Sequence, residues 1–318
     1  MIIGVALYSG HSIFYAMNPL NAINLYASLS ELRSYFTYTD TEAQASNDDL
    51  RFYLYTASRA IDKYTRVKFY PHVRVKYFDY PEDGKTVKVG QHLEVLSLYG
   101  DNGDQEIPNS IILSRCGCEW NLTPYDTLEL RDSAGSSFQW SGDKRRSITA
   151  TLLTGYRSEY DLPDEPWIDT SAVLTASLAS SVDVVQSSAS GGMNKFGFAP
   201  RFGESQIWRL GSGASQELVL VGTTGYQGES ASTLVVRGIN GTTAASHASG
   251  TPIYAWNPEP EIKMATLRLA RWFYEVRNNP TGQRHFFPQF GGFELADAWP
   301  KDIKMTLDRY KPFEMGSF

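Results

Sequence analysis

The chain has little cysteine and little histidine for its 318 residues. Its two cysteines, Cys116 and Cys118, are one residue apart, so a bond between them would be strained and no disulfide framework can be built from them. The five histidines are scattered singly, with no i, i+4 pair of the kind that holds zinc on a helix. We therefore expect no metal, although a zinc site assembled from distant residues stays open. The cysteine usage fits synthesis in a reducing cytoplasm.

Long apolar runs and an excess of basic charge are also missing. No run approaches the ~20 apolar residues of a membrane-spanning helix, and the apolar residues 1–8 have neither a basic start nor a cleavage site. We expect no signal peptide and no contact with a membrane. The formal net charge of -6 argues against a protein that grips nucleic acid through a broad basic face, because neutralising phosphates needs clustered Lys and Arg.

Sequence motifs for catalysis and cofactor binding are incomplete. Gly84-Lys85-Thr86 resembles the end of a phosphate-binding loop, but Asp79 stands where that loop needs its first glycine. The stretch 211–213 lacks the third glycine of a dinucleotide fingerprint, and no G-x-S-x-G motif occurs. Acid–base pairs cannot be chosen from 35 acidic residues without geometry. We therefore expect no enzyme, no catalytic residue and no cofactor.

What the chain does have is the composition of a folded protein with many aromatic side chains. Its hydrophobic fraction of 42% and charged fraction of 20% are typical of globular domains, and the length suggests about two of them. Aromatic residues make up 13% of the chain. They indicate either protein interfaces or aromatic β-cores, and both interpretations stay open.

Two segments near the ends of the chain have the patterns of amphipathic helices. Ser28 and Glu31 fit a capping box, which predicts a short helix to about Phe36, and Asn47 or Asp48 is expected to cap the next helix. An apolar stripe at three-and-four spacing marks that second helix. Its residues are Leu50, Tyr53, Leu54, Ala57, Ile61 and Tyr64.

A matching apolar stripe lies almost two hundred residues later. Its residues are Ile262, Ala265, Leu269, Trp272, Phe273 and Val276. Pro280 and Gly282 end this helix, and a last helix is predicted from Asp302 to about Tyr310. Each stripe needs an apolar partner, so we expect the two helical segments to pack together although the chain between them leaves and returns.

The intervening residues alternate in hydrophobicity and are rich in turn signals such as Asn240-Gly241, which predicts antiparallel strands. We therefore predict an α+β fold in which a discontinuous helix bundle carries one or two inserted antiparallel β-domains. The predicted division is an N-terminal extension (residues 1–25), a helical core (residues 26–70 and 258–318), a β-domain (residues 71–169) and a small inserted β-module (residues 170–257).

Several segments resemble the head-tail connector (adaptor) proteins of long-tailed bacteriophages. Residues 57–65 read Ala-Ser-Arg-Ala-Ile-Asp-Lys-Tyr-Thr, and the basic and aromatic residues 66–71 follow. Residues 26–36 and 302–310 resemble the first and last helices of that family, in the same order. Many members have a glycine after the Tyr-Thr pair, where this chain has Arg66. Residues 236–253 are similar to a small β-module found in phage structural proteins.

The resemblance implies a helical connector core and a ring, of twelve copies, at the virion neck below the portal. The expected partners are other copies of the chain, the portal protein and the next neck or tail protein, a head closure or tail terminator protein. Genomic DNA would pass through the ring without sequence-specific binding. Synthesis is expected in the cytoplasm of the host bacterium.

The segment from residue 301 to 318 is the predicted portal contact, because it combines charges with aromatic anchors and adaptors of this kind often engage the portal through C-terminal residues. A tail packed back on its own subunit stays open as the alternative. The predicted contact residues are Lys301, Lys304, Arg309, Tyr310, Lys311, Phe313 and Phe318.

Other functions also stay open. The chain could be another neck protein, a head closure or tail terminator protein, and the aromatic content would also suit a β-rich virion protein that binds the host or a carbohydrate. An ordinary helical domain with a β insertion would show the same helical patterns.

Overall fold

The structure is a computed structural model that describes residues 24–36, 46–116, 124–131, 136–156, 166–189, 192–193, 202–203, 205–224, 231–278, 285–287, 292–294 and 299–311. It is a mixed α+β protein in which helices near both ends of the chain flank antiparallel sheets. Of the predicted N-terminal extension, only Asn24 and Leu25 are described, and both are buried.

The helices lie close to where the sequence predicts them. They are α1 (Leu29–Tyr35), α2 (Asn47–Thr65), α3 (Pro260–Asn278) and α4 (Lys301–Asp308). Ser28 caps α1 and forms the predicted capping box with Glu31. The expected cap of α2 at Asn47 or Asp48 is wrong, because the hydroxyl of Ser46 reaches the amide of Asp49 and caps the helix one residue earlier.

The helices pack on one another as the two stripes predict. α2 contacts α3, while α1 and α4 contact both. Ion pairs join Arg268 to Asp302 and Arg309 to Glu261, so α4 runs antiparallel to α3. The stripe residues that are buried in the shared core are Leu50, Tyr53, Leu54, Ala57, Ile61, Ile262, Ala265 and Leu269.

Three predicted core residues are only half-buried at the edge of this core. Tyr64 lies where α2 meets α4, and its hydroxyl bonds Asp308 instead of entering the core. Trp272 and Phe273 also remain half-buried. The contact at this end of α3 is made by Tyr274, whose ring centre lies 5.6 Å from Phe36 and 5.7 Å from Tyr53.

The first β region consists of two sheets that share a core. Its strands are β1 (His72–Phe78), β2 (Thr86–His92), β3 (Glu94–Gly100), β4 (Gln105–Glu106), β5 (Ile112–Arg115), β6 (Tyr125–Leu130) and β7 (Ile148–Thr154). They pair in the orders β1-β7-β3-β4 and β2-β6-β5, with antiparallel neighbours throughout. Apolar side chains of both sheets, such as Val87 and Leu128 from one and Leu98 and Leu152 from the other, fill the space between them.

The second β region is a six-stranded sheet. Its strands are β8 (Trp167–Val173), β9 (Val184–Ser187), β10 (Ile207–Leu210), β11 (Glu217–Thr224), β12 (Ala231–Val236) and β13 (Pro252–Trp256), in the order β8-β13-β10-β11-β12-β9. The amide of Ser188 bonds the carbonyl of Val173 at 2.9 Å, so the two edge strands meet and the sheet closes on itself. The sequence placed the start of the second β region at residue 170. The sheet begins earlier, at Trp167.

The six-stranded sheet also packs on the helices. Its interior is filled by residues such as Trp208 and Val235, whereas Ile207, Leu218 and Trp256 face outward and join the core of α1 to α4. The β regions are therefore inserted in sequence but not isolated in space. A hairpin of β14 (His285–Phe287) and β15 (Gly292–Glu294) completes the described strands.

Cys116, directly after β5, is disulfide-bonded, contrary to the expectation from its spacing. Cys118, the other cysteine of the chain, lies outside the described residues.

Candidate functional site

One exposed face of α2 carries acidic, aromatic and basic side chains. Intervals of three, four and eight residues keep side chains on one side of a helix, here the side opposite the buried stripe. The residues on this face are Asp48, Phe52, Tyr55 and Lys63. Phe52 is 61% exposed and Tyr55 is 40% exposed. We call Asp48, Phe52 and Tyr55 the acidic-aromatic patch, because a carboxylate stands beside two rings.

The C-terminal end of α2 opens into a cleft of about 670 Å³. Its lining residues are Ala60, Lys63, Tyr64, Thr65, Arg66, Trp299 and Lys311, and we call this site the basic cleft. The ring centres of Tyr64 and Trp299 are 5.3 Å apart, and the Lys311 ammonium lies 3.8 Å from the Tyr64 ring centre. The cleft therefore combines cations with an aromatic wall.

Asp308 stands beside the cleft and balances one of its cations. Lys311 lies 2.8 Å from this carboxylate, and the Tyr64 hydroxyl donates a hydrogen bond of 2.8 Å to it. The hydrogen bond from Lys311, followed by that from Tyr64, lowers the pKa of Asp308, and the same contact with Asp308 raises the pKa of Lys311. Lys63 and Arg66 add two further basic side chains to the lining of the cleft.

Arg66 occupies an unusual backbone position in this cleft. It ends α2 in the left-handed region, with φ of 60° and ψ of 15°. Glycine is the usual residue at such a helix end, since a side chain there costs about 1 kcal/mol. The Arg66 side chain is exposed, so it lies at the cleft without contributing to the core.

A buried polar network lies beneath α2 and ties the N-terminal segment to it. The Tyr26 hydroxyl donates to Asp62 and accepts from the amide of Phe69, and Arg59 pairs with Asp62 at 2.9 Å. Burial raises the pKa of Asp62 to about 6, although the Arg59 charge opposes the rise. Burial and the Asp62 charge also raise the pKa of Tyr26 well above its ordinary value. These groups face one another inside the protein, so their role is to hold the segments together.

A second buried cluster has the residue types of an acid–base site. Arg237 donates two hydrogen bonds of 2.6 Å to the carboxylate of Glu217, and a His247 ring nitrogen lies 3.0 Å from it. The amides of Gly238 and Ala245 also donate to this carboxylate. Burial alone would raise the pKa of Glu217, but the hydrogen bonds from Arg237, Ala245 and His247 lower it. The carboxylate is fully buried and its oxygens are occupied, so the cluster fixes loops of the six-stranded sheet and does not face a substrate.

The predicted portal residues are spread over the surface of α4 and the turn after it. Lys301 and Arg309 are exposed, Lys304 is half-buried, and only Lys311 lines the basic cleft. Phe313 and Phe318 lie outside the described residues.

Tyr310 does not stand free as a portal anchor. Its ring centre lies 5.4 Å from Phe69 and 5.2 Å from Tyr156, and its hydroxyl donates to Glu261. Ile303 and Leu307 of α4 are buried in the helical core. α4 and Tyr310 therefore pack on their own subunit, the alternative that the sequence left open for this segment.

Sequence reasoning did not select the basic cleft. In the sequence, Arg66 stands out only as a departure from the family, and neither Lys63 nor Trp299 is given a role. A cation at the last turn of α2, followed by a non-glycine residue at the helix end, was the available signal.

Within the described residues, no three His, Cys, Asp or Glu side chains are grouped so that they could hold a metal ion. Among the helices of the same part of the chain, none combines the length and the apolar character needed to cross a membrane. Comparisons with protein families, with curated proteins and with solved structures found no match.

Proposed function

We propose that this chain is a bacteriophage head-tail connector, a virion structural protein that forms a ring below the portal. The ring, of twelve copies if the resemblance holds, extends the DNA channel and provides the docking surface for the next neck or tail component. Its function is assembly and binding, not catalysis.

The observation that carries the proposal is the packing of α2 against α3. These helices are separated by almost two hundred residues, and their apolar stripes, centred on Ile61 and Leu269, are buried in one core. The resemblance to the connector family is carried by α2 and by residues 26–36 and 302–310, which pack on the same core. A buried inner face and an exposed outer face with Phe52 and Tyr55 suit a helix that also contacts other subunits.

The charge of the chain supports a passive relation to DNA. A net charge of -6 disfavours tight phosphate binding, so DNA that crosses such a ring would slide along it and would not be held.

Labelling the protein in virions tests the proposal. In particles of the phage that encodes the chain, an antibody or gold label should appear at the junction of head and tail. Particles that lack the protein should have DNA-filled heads without attached tails. A label at the tail tip or on the head surface, or normal infectious particles without the protein, would refute the proposal. Cross-links to tail proteins alone, without the portal, would favour a head closure or tail terminator protein.

One observation supports a second candidate, a virion protein that binds carbohydrate. Trp140 is 45% exposed, its ring centre lies 6.0 Å from Tyr80, and the Lys144 ammonium lies 4.4 Å from the Trp140 ring. Exposed aromatic rings beside polar groups are suitable platforms for sugars. A glycan array probed with the wild-type chain and with Trp140→Ala separates the candidates. Specific binding that is lost in the variant would favour the second one.

A further inference from the structure

We propose that copies of this chain contact one another head to tail, with the acidic-aromatic patch of one copy docked in the basic cleft of the next. This inference rests on the proposed ring and names the two surfaces that build it. The partner is a second copy of the chain, because the two surfaces complement each other in both charge and chemistry.

The charges of the two surfaces are opposite. The patch contributes the Asp48 carboxylate, whose side chain is 70% exposed, and the first turn of α2 also contains Asp49. The cleft contributes Lys63, Arg66 and Lys311, of which Lys311 is paired with Asp308. Asp48 already pairs with Arg51 in its own helix, but the Asp48 carboxylate remains accessible to a cation of a docked partner.

The aromatic groups of the two surfaces also match. Phe52 is the most exposed aromatic side chain among the described residues, and it lies one turn from Asp48. The cleft presents the rings of Tyr64 and Trp299, and its volume of about 670 Å³ lies within the range of pockets that enclose ligands. Aromatic anchors that enter a pocket lined by rings are a common centre of protein interfaces.

The placement of the two surfaces allows a contact that repeats from copy to copy. Asp48 and Phe52 lie in the N-terminal half of α2 and the cleft lies at its C-terminal end, in a helix whose 19 residues span roughly 28 Å. A contact between two different surfaces of the same chain is heterologous, so it repeats from copy to copy and closes into a ring when the rotation allows. An antiparallel pairing of two α2 helices would use the same residues but would stop at two copies.

The strained position of Arg66 agrees with a role in binding. Glycine at this helix end would be easier to fold, so Arg66→Gly is expected to raise the melting temperature. The same change removes a cation from the cleft and should weaken self-association by about tenfold, the effect of 1.4 kcal/mol. Opposite effects on folding and association are not expected of a residue with a purely structural role.

Sedimentation of the full chain over a range of concentrations tests the contact. The wild type should form species larger than two copies of its 35.6 kDa chain, and added salt should dissociate them. A patch variant, Asp48→Lys with Phe52→Ala, and a cleft variant, Lys63→Glu with Arg66→Gly, should each remain monomeric alone. An equal mixture of the two should form dimers and nothing larger, because only one intact patch and one intact cleft remain for each pair.

The matched control is Tyr77→Ala, which removes an aromatic ring that is 60% exposed on β1, outside both surfaces. This variant should associate like the wild type. Loss of association in the control but not in the patch and cleft variants would move the contact to β1 and overturn the inference. A wild-type assembly that stops at two copies would overturn the head-to-tail geometry.

Failure of this inference and failure of the proposed function give different results. A chain that stays monomeric at every concentration overturns the self-contact, whereas labelling of the virion neck still decides the proposed function. A chain that assembles through the patch and the cleft but is found away from the neck would keep the contact and reject the connector.

Discussion

The side-chain amides of Asn24 and Asn240 exchange two hydrogen bonds, of 3.0 and 2.8 Å, although 216 positions separate them in sequence. Asn240 also donates to the carbonyl of Pro71, and its own carbonyl accepts from the amide of Val73. Arg59 of α2 donates to the carbonyl of Asn24. The pair therefore joins the N-terminal segment, the start of β1 and a turn of the six-stranded sheet, and it sets how the β regions meet the helices.

Removing the Asn240 amide should destabilise this junction. Asn240 has φ of 54°, so Asn240→Gly keeps the backbone conformation and deletes only the side chain. The buried side chain of Asn24 would lose both hydrogen bonds to Asn240, and we expect the free energy of unfolding to fall by about 1–3 kcal/mol in denaturant titrations. Asn102→Gly is the matched control, since Asn102 is exposed and has φ of 58°, and it should not lower stability. Equal effects of the two changes would contradict this account.

The features that the sequence predicted well are those set by neighbours in the chain. Ser28 and Glu31 form their capping box because both partners lie within one helical turn. Asn240 and Gly241 form the predicted turn because both tolerate positive φ, and the amide of Thr242 bonds the carbonyl of Ile239 across it. The apolar stripes of α2 and α3 likewise specified their own partner, since neither could remain exposed.

The features that the sequence missed depend on distant residues or on irregular backbone. β2 was not predicted, because its alternation is interrupted where the pairing with β6 shifts between Lys88 and His92, around Gly90 at φ of 77°. β8 and β9 flank a Ser- and Ala-rich stretch without clear alternation, and pairing with β13 and β12 makes them strands. The basic cleft brings Trp299 and Lys311 to the end of α2, a juxtaposition that no local spacing reveals.

The burial of α4 gives a prediction with a control on the same helix. Leu307 is fully buried in the helical core, whereas Met305 is 71% exposed. Leu307→Asp should lower the free energy of unfolding by about 3–5 kcal/mol, because it removes apolar packing and buries an unpaired carboxylate. Met305→Asp should change stability by less than about 0.5 kcal/mol. Thermal unfolding of both variants checks this, and a Leu307→Asp protein as stable as the wild type would show that α4 is dispensable.

His72 should make the protein less stable in acid. Burial lowers the pKa of His72 to about 4, and its ring nitrogen lies 3.2 Å from the carbonyl of Tyr70. Between about pH 4 and 6.5 the unfolded chain binds a proton at His72 that the folded protein does not bind. The free energy of unfolding is therefore highest above pH 6.5 and falls as the pH decreases towards 4. The full decrease that comes from His72 is about 3 kcal/mol. His72→Asn should therefore lose less stability than the wild type between pH 6.5 and 4. Parallel stability curves would contradict the assignment.

The titration of Asp62 should change the stability of the protein in the opposite direction over nearly the same pH interval. Burial raises its pKa to about 6 although Arg59 lies 2.9 Å away, so between about pH 4 and 6 the folded protein binds a proton that the unfolded chain has released. The stability from this group is complete below pH 4 and is lost as the pH rises through 6, with a full size of about 3 kcal/mol. Asp62→Asn removes the titration and keeps an acceptor for the Tyr26 hydroxyl. Relative to the wild type, the variant should therefore gain stability as the pH rises from 4 to 6, the reverse of the trend for His72→Asn. Denaturant titrations of the two variants at pH 4, 5, 6 and 7 test both signs. If the free energy of unfolding of Asp62→Asn differs from that of the wild type by the same amount at every pH, Asp62 is ionised in the folded protein throughout this range.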